Sequence, residues 1–107
     1  MLEEQFSYPI DDTSGVIMRF TFARSRLTVN LERCEMDWGT GNRSGAIRIP
    51  LGSRSFSISS YENLEKTEVE IAGYLSVTGG FHVLDAERCA ASVILQIRDY
   101  MDSNTQK

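Results

Sequence analysis

The stretch TEVEIAGYLSV, residues 67–77, decides the fold class. Its apolar residues Val69, Ile71, Leu75 and Val77 fall on every second position with Gly73 in phase. That is the periodicity of a strand with one face buried. The same alternation runs through the chain on both sides. Phe6, Tyr8 and Ile10 alternate with polar residues, and Pro9 marks an edge strand. Val16, Met18, Phe20 and Phe22 follow, then Leu27, Val29 and Leu31. The expected strands are 5–10, 16–23, 27–34, 46–51, 54–59, 67–77 and 81–84.

The turns agree with this pattern, because hairpin register must keep apolar residues on one face. A tight turn at Arg24-Ser25, or a four-residue loop of the same register since Arg-Ser is poor turn chemistry, pairs Phe22 with Leu27, Phe20 with Val29 and Met18 with Leu31. Glycine opens the turn Gly52-Ser53, as a type II′ hairpin prefers, and that turn pairs Ile49 with Phe56. Residues 78–80 turn the chain between Val77 and Phe81, and the loop 11–15 sets Ile10 opposite Val16 and Tyr8 opposite Met18. The expected topology is an antiparallel meander of six to seven strands.

From Asp85 the period becomes helical. Ala86, Cys89, Ala90, Val93, Ile94, Ile97, Tyr100 and Met101 fall within one arc at 100° per residue. Asp85 is the expected N-cap, the helix spans about 86–102, and 103–107 form a tail. Leu95 stands alone on the opposite face. The chain is therefore read as one α+β domain, 1–107, with a strongly curled sheet or half-barrel packed on one C-terminal helix. Seven strands about 4.8 Å apart make a sheet near 30 Å wide, whereas one helix covers only about 10–12 Å. Either the sheet curls around the helix or a second copy covers it. A homodimer with Leu95 in the contact is the expectation, and a curled monomer the alternative.

The net charge of −4 is unevenly spread. Residues 19–54 hold seven arginines against Glu32, Glu35 and Asp37, and the rest of the chain is strongly acidic. An acidic domain disfavours broad contact with a phosphate backbone, so nucleic acid is not an expected partner. MLEEQFSYP, residues 1–9, lacks the apolar run of a secretory leader, and no stretch is long enough for a membrane helix. Cys34 and Cys89 are isolated, so they read as reduced thiols in a cytoplasmic protein.

Chemistry-bearing motifs are sparse. His82 is the only histidine and has no neighbour at metal-ligand spacing. Gly39-x-Gly41 precedes a strand, while a dinucleotide fingerprint opens a helix. No catalytic residue, metal or cofactor is therefore expected. In a meander, alternate turns share an end. This would gather Arg24, Arg26 and Arg54 beside Gly79 as an anion site. At the other end it would place Trp38, Asp37, Arg43 and Tyr61 as a partner surface, with the Trp38 indole half-buried. The expected function is a small cytoplasmic binding protein with a protein partner and no enzymatic activity. Adaptors, immunity proteins and phage or mobile-element inhibitors belong to this class. The alternative is a small-molecule, anion or nucleotide binder with an arginine-lined barrel end.

Overall fold

The structure is a computed structural model that describes residues 1–11, 13–37 and 42–105, with side chains described for 1–11, 13–35 and 48–103. It is an α+β fold. Strands β1 (Leu2–Pro9), β2 (Ser14–Ala23), β3 (Arg26–Asp37) and β4 (Asn42–Ser57) form one four-stranded antiparallel meander in chain order. A 3-10 turn (Tyr61–Asn63) leads into helix α1 (Leu64–Val77), and α2 (Val83–Thr105) follows.

The β2–β3 hairpin has the expected register, with Phe22 opposite Leu27, Phe20 opposite Val29 and Met18 opposite Leu31. Its two-residue turn holds Arg24 at φ 51° and Ser25 at φ 64°. Positive φ at both central positions is the type I′ geometry, which favours Asn-Gly. Apart from glycine, only Asn and Asp visit that region readily, so Arg and Ser are strained there. Arg24→Asn with Ser25→Gly is thus expected to stabilise the protein by about 1–2 kcal/mol, read as a higher urea midpoint at unchanged slope.

The β1–β2 register differs from expectation by two residues: Tyr8 faces Val16 and Phe6 faces Met18. Asp11 tightens the loop, its Oδ1 accepting the N–H groups of Thr13 and Ser14 at 2.8 Å each. Backbone bonds from Ile10 and Asp11 N–H to the Ser14 carbonyl close the turn, leaving Ile10 exposed. These bonds to the charged form also hold the Asp11 carboxyl below its usual range, the Thr13 N–H contributing most.

The hairpin expected at Gly52-Ser53 does not form; both residues lie inside β4. β3 is twelve residues long and offers β4 a partner along its length. Phe56 therefore faces Leu27, and Ile49 faces Arg33 rather than Phe56. A register shift between Leu31 and Glu32 leaves Leu51 as the extra residue of a bulge beside Pro50. Gly52 serves close packing, not a turn, since a Cβ there would lie 3.0 Å from Tyr74 Oη.

Residues 67–77 are not a strand but most of α1. Leu64, Thr67, Ile71, Tyr74 and Leu75 make the buried face. Val69, Gly73 and Val77 lie on the other side. The alternation Val69–Ile71–Gly73–Leu75–Val77 samples the inner and outer faces in turn, which imitates a strand. Gly80 ends the helical segment at φ 72°, a left-handed conformation that suits glycine, and Phe81 N–H reaches the Leu75 carbonyl at 3.1 Å. The expected strand 81–84 is likewise replaced. Phe81 is core, and His82 precedes α2 with its Nδ1 accepting Leu84 N–H at 3.3 Å. His82 thus takes the capping position expected of Asp85, and α2 begins earlier and ends later than 86–102.

Two helices explain how the sheet is covered. Four strands about 4.8 Å apart match two helices packed some 8–10 Å apart. Val16, Met18, Phe20 and Phe22 from β2 meet Ile71 and Leu75 from α1 and Ala90, Val93 and Ile97 from α2 in one core. Toward the β2–β3 turn the other face of the sheet carries polar side chains such as Thr21, Thr28, Asn30, Ser53 and Ser55, whereas Ile17 and Cys34, further along that same face, are buried. The sheet thus has four strands, not the six to seven expected, and two helices cover its apolar face.

Candidate functional site

The outer faces of α1 and α2 meet in a groove of about 470 Å³. From α1 come Val69, Ala72, Gly73, Ser76 and Val77, whose spacing of i, i+3, i+4, i+7 and i+8 makes one continuous stripe. Val83 and Glu87 of α2 form the opposing wall, and Glu68 stands beside the α1 stripe. Val69, Val77 and Val83 are 73%, 86% and 58% exposed. A Cβ built on Gly73 would meet nothing within 4 Å, so a ligand can approach the helix backbone there. α1 is thus apolar on two faces, only one of which the sheet buries. Covering a valine completely contributes roughly 1.5–3 kcal/mol, and that gain is still open here.

At the top of α2, Tyr8 ties the edge strand to the helix. Its ring stacks on Phe81 with centroids 4.2 Å apart, and its hydroxyl donates to Asp85 Oδ2 at 2.7 Å. The bond to Asp85 raises the Tyr8 pKa above that of a free phenol. Cys89 packs against Met18, with the two sulfurs 3.4 Å apart, and burial pushes its thiol up to about 11. A thiol so shifted is a weak source of thiolate near neutral pH, which fits a packing role. Cys34 is free and buried.

The residues expected to form an anion site are separated. Arg24 and Arg26 stand at the β2–β3 turn, where Arg26 is opposite Ser57. Arg54 faces Val29, three positions along β4 from Ser57, so it points from the other face of the sheet. Its guanidinium lies 5.0 Å from the Phe56 ring centroid. Gly79 follows α1 at the opposite end, where its N–H bonds the Leu75 carbonyl.

The expected partner surface is also divided. Tyr61 follows β4 near the β2–β3 turn and donates to Asp102 Oδ1, whereas Asp37 ends β3 at the other end of the sheet. Trp38 and the side chains of Asp37 and Arg43 lie outside the described residues. Leu95 is 59% exposed, on the outer side of α2 as expected.

The α1 wall of the groove is hidden in the sequence by its period of two, which reads as the strand 67–77. Its signal was present in Val69, Ala72, Gly73, Ser76 and Val77, which mark a helix face when read at a period of 3.6. Among the described residues no group of His, Cys, Asp and Glu is arranged to hold a metal ion, and no helix is long and apolar enough to cross a membrane. Set against family models, curated proteins and solved structures, the chain matches none.

Proposed function

We propose that this is a small non-enzymatic binding protein that holds a protein partner in the groove between α1 and α2. The supporting observation is the outer stripe of α1, where Val69 and Val77 are left in water beside Val83 although the sheet has already buried the opposite face of the helix. Partly formed grooves between helices are common seats for a partner segment. The polar face of the sheet gives a partner less apolar area to cover.

Val69→Ser with Val77→Ser tests this reading, since both side chains point outward and serine has a helix propensity close to that of valine. The pair is expected to change stability by less than about 1 kcal/mol while abolishing capture of the partner. Affinity capture from extracts of the source cell, run in parallel on both proteins, provides the measurement. A protein retained by the parent and lost by the variant supports the groove. Identical retention by both moves the binding site elsewhere.

A further inference from the structure

We infer that the segment held in this groove is a basic amphipathic helix of another protein, an inference that rests on the groove being the binding site. The first ground is charge. Glu68 and Glu87 flank the apolar floor, and none of the residues lining it is basic. The bias extends through the whole helical layer. Residues 58–105 carry eight acidic and three basic side chains, whereas residues 1–57 carry seven of each. An apolar seat with glutamates along its sides favours a ligand that pairs an apolar stripe with flanking lysines or arginines.

The second ground is shape. The stripe from Val69 to Val77 runs along a helix beside a second helix joined to it by residues 78–82. A third helix fits such a trough with one side in contact, and the bare backbone at Gly73 allows close approach. The stripe is roughly 12 Å long at 1.5 Å per residue, so two to three turns of a partner helix span it.

A second copy of this chain is a poorer occupant. A two-fold contact sets a patch against itself, which would press a groove whose charged lining residues, Glu68 and Glu87, are both acidic against an equally acidic copy. Like charges brought together in an interface oppose association.

The test uses two synthetic helical peptides of about 18 residues. They share a leucine stripe at i, i+3, i+4 and i+7 and differ only in carrying lysine or glutamate on the flanks. Binding is read by fluorescence anisotropy against the full chain, with light scattering on the chain alone. The lysine peptide is expected to bind, and to weaken as salt rises because the flanking charges are screened. Glu68→Gln with Glu87→Gln is expected to weaken it about tenfold, and Val69→Ser with Val77→Ser to remove binding. The glutamate peptide is expected not to bind. Equal binding of both peptides overturns the basic helix and leaves the groove as an apolar seat. Binding of neither, while Val69→Ser with Val77→Ser still loses the partner in the capture experiment, overturns the helix but keeps the site. A dimer that those two serine substitutions dissolve makes a second copy the occupant and overturns the inference. Undiminished peptide binding by the serine variant overturns the groove itself.

Discussion

Phe20→Ala is expected to lower stability by about 3–5 kcal/mol, the range for removing a buried aromatic ring. Phe20 has no exposed surface and lies in β2, with Val29 opposite it on β3. Its ring stacks with Phe6 across β1, with centroids 6.0 Å apart and planes 13° from parallel. The residues around it belong to regular strands and helices, so they have little freedom to collapse into the space left behind. Domains of this size hold only about 5–15 kcal/mol in total, and the variant should therefore unfold at a much lower urea concentration. Leu95→Ala provides the contrast on α2: at 59% exposure it should cost under about 0.5 kcal/mol. A Phe20→Ala loss as small as that of Leu95→Ala would show that the core is not centred on β2.

Gly79→Ala is expected to cost about 1–3 kcal/mol through overpacking. A Cβ at this position would lie 2.8 Å from the Leu75 carbonyl oxygen and 3.1 Å from Phe81 Cδ1. Neither neighbour can yield easily. The Leu75 carbonyl accepts the N–H groups of both Gly79 and Phe81, and the Phe81 ring is stacked on Tyr8. Moving either disturbs the junction at which α1, α2 and the edge strand meet. Gly73→Ala is the matching control, because its Cβ would meet nothing within 4 Å. Within a helix, alanine is better than glycine by roughly 0.5–1 kcal/mol. Thermal denaturation of the two variants should move in opposite directions, and a stabilising Gly79→Ala would show that the junction is looser than its geometry.

What was legible in the sequence depended on whether one period had one meaning. In β2 and β3 the alternation Met18, Phe20, Phe22 and Leu27, Val29, Leu31 corresponds to a single buried face, so strands and register could be read directly. In α2 the arc through Ala86, Ala90, Val93 and Ile97 is also one buried face. α1 carries two apolar faces, and their superposition has a period of two. Gly52-Ser53 misled for a different reason: its glycine answers to Tyr74 across the core and not to the local chain path. The candidate site inherited both errors. Placing turns at Gly52-Ser53 and Thr78–Gly80 of a longer meander is what gathered Arg24, Arg26 and Arg54 at one end. Correct topology sends the chain back through α1, so Gly79 comes to lie at the far end. The carboxylate of Asp85 shows the same limit on a smaller scale. Its residue type suits a cap, but Tyr8, distant in sequence, is what it binds.

The two-faced α1 also changes what a measurement on the isolated chain means. A partner that binds only the folded state adds RT ln(1 + [L]/Kd) to stability, about 2.7 kcal/mol at a hundredfold excess over Kd. That is close to the loss expected from a clash at Gly79 and about half of the smallest total stability typical of such domains. With the groove occupied, the melting temperature becomes a joint property of two chains and rises with the concentration of the second. If the groove is the binding site proposed above, substitutions that unfold the lone protein are rescued by adding the partner.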